Sequence, residues 1–167
     1  MSTHRYAFLE EFCSKNPDFD SEALIDCFDI HRMERMILGL VDRYLSRWRV
    51  TASTLWVLIN LLSKEDNAMS PSQLALATGL SPASMTAALD ALEKKGYVQR
   101  GSHPTDRRMV SVHVTAEGRS FMDESFHQHG RGGVRMLKHL SQEERKTFLR
   151  LYEKVLIGAQ ELLEEPT

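Results

Sequence analysis

The sequence has little cysteine, and its two cysteines, Cys13 and Cys27, exclude two classes of protein. Two thiols cannot build the disulfide framework of a small secreted domain. Their spacing matches no zinc pattern, and the histidines do not group at ligand spacing, since His127 and His129 fall on different faces of a helix. We therefore expect no metal and no other cofactor.

Long hydrophobic runs are also missing. The longest uncharged apolar run, residues 50–63, is too short to cross a bilayer and is typical of a buried core helix. The N-terminal stretch MSTHRYAFLEEF lacks the long apolar segment of a secretory signal. We expect a cytoplasmic protein with no membrane partner.

The motifs of common enzyme classes are absent as well: there is no nucleophile elbow, zinc-protease helix, P-loop or dinucleotide fingerprint. We therefore do not expect an enzyme. The 167 residues, 42% hydrophobic and 26% charged, suit a soluble globular protein of one domain, or of one domain with helical extensions.

The net charge of −2 conceals a segregation of charge along the chain. Residues 1–30 hold two basic and seven acidic side chains, a net charge of −5. Residues 94–108 hold five basic side chains and one acidic side chain, a net charge of +4. An acidic end and a basic middle indicate that only the middle meets a polyanion.

Helical periodicity dominates the first third of the chain. Residues 4–14 predict a short helix, and a break follows at residues 16–20, which include a proline. Apolar side chains recur every three or four positions over residues 21–48, which predicts a long amphipathic helix. Residues 51–63 predict a buried helix, and residues 64–68 a polar turn.

Two further helices begin with the same Ser-Pro pair. Ser70 is a good N-cap with Gln73 at the capping-box spacing, and this helix should stop at Gly79. Ser81 opens the second, which should end at Gly96. Two short helices joined by a tight glycine-containing turn predict a helix-turn-helix. Apolar residues of the second helix should pack on Leu74 and Leu76 of the first.

After the second helix the pattern alternates. Val110, Val112 and Val114 fall on one side of a predicted strand. Pairing this strand with residues 97–100 gives a β-hairpin, or wing, whose tip holds the sequence GSHPTDRR. Arginine suits a narrow minor groove because the groove concentrates negative potential.

The rest of the chain is predicted to be helical. Thr115 should cap a helix to about residue 128, and the glycines at 130–133 should kink or loosen the surrounding helix. Ser141 and Glu144 form another capping box, which opens a last helix to about residue 164. Its apolar stripe, which includes Phe148 and Leu151, must be buried on something.

The second of the paired helices presents small and hydroxylated side chains that suit close approach to a major groove. Such a face alone is more often an ordinary helix surface, and a charged hairpin tip an ordinary solvated turn. A helix-turn-helix followed directly by a basic hairpin favours DNA binding. The candidate DNA-binding residues are Ser70, Ser81, Ala83, Ser84, Thr86, Ala87, Lys94, Arg100, Arg107 and Arg108. Asp106 should support the wing by orienting Arg108 through a charge-assisted hydrogen bond.

The stretch LATGLSPASMTAALDALEKKGYVQRGSHPTDRRMVSVHVTAEG resembles the core of the MarR family of bacterial transcription regulators. The resemblance extends from about Ile30 to the C-terminal helix, and its most specific part is the run from Asp106 to Arg108 followed by Thr115 and Gly118. It implies a mainly α fold with a small β-hairpin wing (α+β), in an obligate homodimer interlocked by N- and C-terminal helices. It also implies that residues 81–95 form the recognition helix.

The resemblance implies three regions in one intertwined unit. Residues 1–50 would be N-terminal helices of the dimerisation region, and residues 51–115 the winged helix-turn-helix lobe. Residues 116–167 would be C-terminal dimerisation helices.

One departure from the family pattern concerns the recognition helix. Members commonly carry an arginine or another long polar residue at its middle, where this chain has Ala87, Ala88 and Ala91. Bidentate arginine readout of guanine from these positions is therefore impossible. Sequence preference must then rest on Ser84, Thr86, the wing and DNA shape, unless specificity is modest.

The resemblance further implies an effector, because MarR-like proteins respond to small, often phenolic or lipophilic molecules. Candidate pocket residues are His31, Arg35, Met36, Trp48 and Trp56, although each suits plain packing as well.

A peroxide-sensing branch of the family has a reactive cysteine near the position of Cys27. Cys27 lies on the apolar stripe between acidic residues, which favours a structural cysteine over a reactive one.

Taken together, these features predict a cytoplasmic, homodimeric repressor that binds double-stranded, palindromic operator DNA and is released by a small molecule. The alternatives are an oxidant-sensing repressor that acts through Cys27 and a winged helix used only for protein interaction.

Overall fold

The computed structural model describes residues 6–64, 67–102 and 110–163. Within these ranges the chain forms seven α-helices, a short 3₁₀ helix and three β-strands. The helices are α1 (Ala7–Lys15), α2 (Ser21–Leu45), α3 (Ala52–Leu62), α4 (Pro71–Thr78), α5 (Pro82–Lys94), α6 (Ala116–Met136) and α7 (Gln142–Glu161). The 3₁₀ helix is Ser46–Trp48, and the strands are β1 (Ala68–Met69), β2 (Val98–Ser102) and β3 (Val110–Val114).

The predicted helix over residues 21–48 is shorter than expected. α2 ends at Leu45, and the 3₁₀ helix leads into Arg49, whose φ of 57° is left-handed. The Asp42 carboxylate then accepts a hydrogen bond from the backbone N–H of Ala52 at 2.7 Å. The turn therefore fastens the end of α2 to the start of α3.

The predicted helix-turn-helix is confirmed, together with its caps. Ser70 accepts from the N–H of Gln73 and donates its own N–H to the Gln73 side chain, which completes the capping box of α4. Gly79 ends α4 with a φ of 68°. Ser81 caps α5 by accepting from the N–H of Ser84.

The helix-turn-helix packs on α3 around a continuous apolar core. Leu74 is fully buried, but Leu76 is 87% exposed, so the expectation that both would receive α5 is wrong for Leu76. Residues two apart on a helix lie about 200° apart, so only one of the pair can face the core. The largest buried apolar side chains are Val57, Leu58, Leu61, Leu74, Met85, Leu89, Leu92, Val98 and Val112.

The hairpin belongs to a three-stranded antiparallel sheet in the order β1-β3-β2. The polar turn predicted over residues 64–68 includes Ala68, which instead pairs with His113 as part of β1. The predicted one-sided valine face is only partly present, since Val110 is 47% exposed while Ser111 is buried. Adjacent strand residues face opposite sides of a sheet, so burial of both Ser111 and Val112 shows that the middle of β3 is covered on both faces.

The chain divides into two compact units, the first ending at Arg119 and the second beginning at Ser120, within α6. α6 does not stop near residue 128 as expected but continues through the glycines at 130–133 to Met136. Glycine lowers helix stability by about 1 kcal/mol relative to alanine without forbidding the helix.

α7 belongs to the second unit. Ser141 and Glu144 complete the predicted capping box at its start. Hydrogen bonding from the Ser141 backbone N–H, and secondarily from its side chain, lowers the pKa of the Glu144 carboxyl. α7 is exposed along its length except at the half-buried Arg145, so its apolar stripe is open in a single chain.

Candidate nucleic-acid interface

α5 divides into a buried face and an open face of small side chains. Met85, Ala88, Leu89 and Leu92 are buried, which anchors the helix in the lobe. Six candidate DNA-binding residues are exposed: Ser81, Ala83, Ser84, Thr86, Ala87 and Lys94. A helix with such a face can approach another backbone or a nucleic-acid groove closely.

The hydroxyl groups at the start of α5 are already oriented by the helix. Ser81 donates to the Ser84 Oγ at 2.9 Å, so the Ser84 proton is left for another acceptor. Thr86 donates its proton to the carbonyl oxygen of Pro82 at 3.0 Å. Because a hydroxyl has one proton and two lone pairs, Ser84 can act as a donor to a ligand while Thr86 is set to accept.

Ser70 occupies a different environment from the other candidates. Ser70 is only 4% exposed. Its hydroxyl accepts a hydrogen bond from the Gln73 N–H in the α4 cap and forms a 3.0 Å hydrogen bond with the Ser72 hydroxyl. We therefore remove Ser70 from the residues proposed to touch DNA.

Arg100 on β2 forms hydrogen bonds with two carboxylates of α5. Its guanidinium donates to the Asp90 carboxylate at 2.6 Å and to the Glu93 carboxylate, and its backbone N–H donates to Glu93 at 3.2 Å. The hydrogen bond to Asp90 is the largest of the effects that raise the pKa of Arg100. The sequence held a clue to this arrangement, because Asp90 and Glu93 are three apart on one helix face and Arg100 follows the next turn.

The two lysines at the end of α5 differ in their contacts. Lys94 is exposed, whereas Lys95 donates to the backbone carbonyl of Arg49. Burial, and secondarily the charge of Arg49, lowers the pKa of the Lys95 ammonium. Only Lys94 of this pair thus extends the open face of α5.

The wing arginines Arg107 and Arg108 and their expected partner Asp106 lie outside the described residues. The strands on either side of them are placed, however. β2 and β3 pair from Val98 with Val114 to Ser102 with Val110.

Thr115 and Gly118 fasten the start of α6 to the lobe. The Thr115 hydroxyl donates to the carbonyl of Gly96 and accepts from the N–H of Gly118 at 3.0 Å. A Cβ at Gly118 would overlap the carbonyl group of Tyr97, 2.9 Å from its carbon and closer still to its oxygen. Arg119 adds a 2.7 Å hydrogen bond to the Asn67 side chain. The spacing Thr-x-x-Gly therefore has a packing role at the junction of α5, β2 and α6.

The candidate pocket residues lie on α2, the 3₁₀ helix and α3. His31, Arg35, Met36 and Trp56 are exposed, with Trp56 at 56%, and Trp48 is half-buried in an edge-to-face contact with Tyr44.

The cysteines occupy opposite environments. The sequence predicts that Cys27 is a structural residue on the apolar stripe, but it is exposed, with its Sγ 3.8 Å from the His31 Nδ1. Cys13 is buried.

Two further observations concern membranes and metals. No described helix is long and apolar enough to cross a membrane. Within the described ranges, no group of three or more His, Cys, Asp or Glu side chains is arranged to hold a metal ion.

Comparisons with known proteins agree on one family. The model of the MarR family matches residues 50–109. The chain is 28% identical to the HTH-type transcriptional regulator PecS of Dickeya dadantii over 143 residues, 85% of this chain and 86% of PecS. It is 30% identical to the transcriptional repressor MprA of Escherichia coli over 112 residues, 66% of this chain and 63% of MprA.

A solved structure extends this likeness to the fold. A mutant of MarR from E. coli, complexed with operator DNA, matches with a TM-score of 0.72 at 27% identity, over 83% of this chain and 99% of that one. The predicted mainly helical winged fold is confirmed, and the relatives are named as transcription regulators, the class that the helix-turn-helix and its hairpin predict.

Proposed function

Since the chain belongs to the MarR family of transcription regulators, we propose that it is a cytoplasmic repressor that binds palindromic operator DNA as a homodimer. The observation that carries this proposal is α5, a capped helix whose first two turns expose only small side chains, with an exposed lysine at its end. Each α5 would enter a major groove, with half-sites about one helical turn apart.

The proposed contacts come from α5 and the wing. We keep Ser81, Ala83, Ser84, Thr86, Ala87 and Lys94 on α5, and Arg107 and Arg108 in the wing with Asp106 as their support. The residues at the start of α5 lie at the positive end of its helix dipole, which favours a nearby phosphate. The wing arginines suit the adjacent minor groove.

The oriented hydroxyls support a division of base contacts on α5. Ser84 retains a proton to donate, which suits the acceptors of guanine, adenine N7, thymine O4 or a phosphate. Thr86 is set to accept, which suits the amino groups of adenine and cytosine. Because Ala87 and Ala91 beside them have no polar atoms, we propose that the hydroxyls of Ser84 and Thr86 make the base contacts of this part of α5.

Dimerisation explains the open apolar stripes. In a single chain Leu151, Val155 and Leu156 of α7 are 49%, 44% and 55% exposed. α2 likewise carries Ile37 and Leu40, which are about half exposed. Exposed patches of this kind mark interaction surfaces, and a second copy of the chain would cover them. We retain residues 1–50 and 116–167 as the dimerisation regions and 51–115 as the DNA-binding lobe.

A small phenolic or lipophilic effector would release the repressor from DNA. The exposed His31, Arg35, Met36 and Trp56, with the half-buried Trp48, offer aromatic and thioether surface with few polar groups, and a second copy would help to enclose it. Binding there would alter the spacing of the two lobes and so their fit to the half-sites.

Selection of bound fragments from genomic DNA tests the proposal. We expect recovered fragments to share a two-fold symmetric sequence whose half-sites lie about one helical turn apart. A protein used only for interaction with other proteins would recover fragments without a common sequence. That outcome would overturn the proposed function.

A further inference from the structure

We propose that Arg100 is a positioning residue: it fixes the wing against the recognition helix by bridging Asp90 and Glu93, and it does not contact DNA. The wing is defined as β2, β3 and the residues 103–109 that connect them. This inference rests on the proposed function, because it assigns a role to a side chain within the DNA-binding lobe.

The bridge holds both the side chain and the main chain of Arg100. Its guanidinium forks to the Asp90 carboxylate at 2.6 Å and to the Glu93 carboxylate. The second oxygen of Glu93 accepts from the Arg100 N–H at 3.2 Å. Three hydrogen bonds therefore link one residue of β2 to two residues of α5, which restricts both the rotation and the shift of the strand.

The chain between the linked residues contains the turn that the bridge stabilises. α5 ends at Lys94, and the path reverses at Gly96, which has a φ of 73°. A turn of this kind allows a range of angles between the helix and the strand that follows. The hydrogen bonds of Arg100 to Asp90 and Glu93 span this turn, so side chains as well as the backbone fix the angle between α5 and β2.

Charge argues against a phosphate contact by Arg100. Its side chain is 28% exposed, whereas those of Asp90 and Glu93 are 61% and 42% exposed. A phosphate that approached this guanidinium would also approach two more accessible carboxylates. Two carboxylates on a DNA-binding helix weaken binding electrostatically, and both are engaged here by Arg100.

The two possible roles of Arg100 predict opposite results when the carboxylates are removed. If Arg100 binds phosphate, Asp90→Ala with Glu93→Ala frees the guanidinium and removes negative charge, so affinity for operator DNA rises. If Arg100 is the brace, the same double variant lets the wing shift, so affinity falls roughly tenfold. The salt dependence also becomes shallower, because a displaced wing neutralises fewer phosphates.

A thermodynamic cycle with Arg100→Gln sharpens the test. The brace predicts that Arg100→Gln lowers affinity in the parent but not in the Asp90→Ala, Glu93→Ala background, where the bridge is already absent. A further decrease in that background would overturn the proposal. Glu117→Ala with Asp123→Ala, which removes two exposed carboxylates from α6, controls for the change in net charge. All variants are compared at a temperature where circular dichroism shows them fully folded.

Hydrogen exchange of the free protein provides a measurement that needs no DNA. The Arg100 amide, which donates to Glu93, should exchange faster in the Asp90→Ala, Glu93→Ala variant, while core amides of α3 keep their protection. Unchanged exchange at Arg100 would overturn the brace. Failure of the parent to bind any DNA would instead overturn the proposed function, so the two failures are distinguishable.

Discussion

At the scale of the residue, similar side chains have different roles because their burial and hydrogen bonds differ. Ser70 and Ser81 both follow the Ser-Pro pattern and both cap a helix, yet Ser70 is buried and Ser81 is exposed. Sequence alone predicts the caps because capping depends on local chemistry. The sequence alone does not show which hydroxyl is exposed to a ligand and which is buried within the protein, because burial depends on tertiary packing.

Thr86→Val tests the hydroxyl that is set to accept. Valine keeps the shape of threonine and removes the oxygen, so we expect discrimination between operator base pairs to fall by about 1–3 kcal/mol at one position. Affinity for non-specific DNA should hardly change. Binding to a set of single-base operator variants measures the effect, and Thr86→Ser is the control because it retains the hydroxyl. Equal discrimination by the parent and the valine variant would exclude Thr86 as a reader.

Cys27→Ser tests the oxidant-sensing alternative. Cys27 is exposed beside His31, but we propose that a small-molecule effector, and not oxidation, releases the protein from DNA. We therefore expect the variant and the parent to keep the same DNA affinity when hydrogen peroxide is added. A parent that peroxide releases, and a serine variant that it does not, would establish the alternative.

At the scale of the element, the structure differs from the sequence-based prediction where contacts are distant along the chain. The Ser-Pro starts of α4 and α5, their glycine stops and the hairpin are predictable from neighbouring residues. The strand β1 is not, because it forms only by pairing with β3, more than forty residues later. The bridge of Arg100 to Asp90 and Glu93 likewise depends on the turn at Gly96, which brings β2 back along α5.

Gly118→Ala tests the junction of α6 with the lobe. The new Cβ would overlap the Tyr97 carbonyl, so we expect the free energy of unfolding to fall by about 1–3 kcal/mol, as overpacking does in a core. Gly130→Ala is the matched control in the same helix, because its Cβ would meet open space, and it should stabilise the protein by up to about 1 kcal/mol. Urea unfolding followed by circular dichroism measures both variants. Equal stability of Gly118→Ala and the parent would show that the junction yields without cost.

At the scale of the whole molecule, a single chain leaves the apolar side chains of α7 exposed to solvent. α7 has no buried residue along its described length, yet it carries Leu151, Val155 and Ile157. The periodicity of α7 predicts that its apolar stripe is buried, but the sequence does not show which surface covers the stripe. In the proposed account that surface belongs to a second copy.

Leu151→Glu together with Val155→Glu tests the homodimer. Two carboxylates in the apolar stripe would remain unpaired in an interface, which costs several kcal/mol. We expect light scattering to give a mass near 19.1 kDa for the variant and roughly twice that for the parent. Glu153→Gln, on the same helix, should leave the parent mass unchanged. A monomeric parent would contradict the proposed assembly.

The salt dependence of operator affinity tests most directly whether the winged lobe binds DNA through basic side chains. If the dimer neutralises six or more phosphates, affinity should fall at least about a thousandfold between roughly 50 and 200 mM salt. Arg108→Ala should weaken binding to all sequences and reduce the slope by about one for each phosphate that the variant no longer neutralises. Operator affinity that is insensitive to salt, or that Arg108→Ala leaves unchanged, would contradict the account.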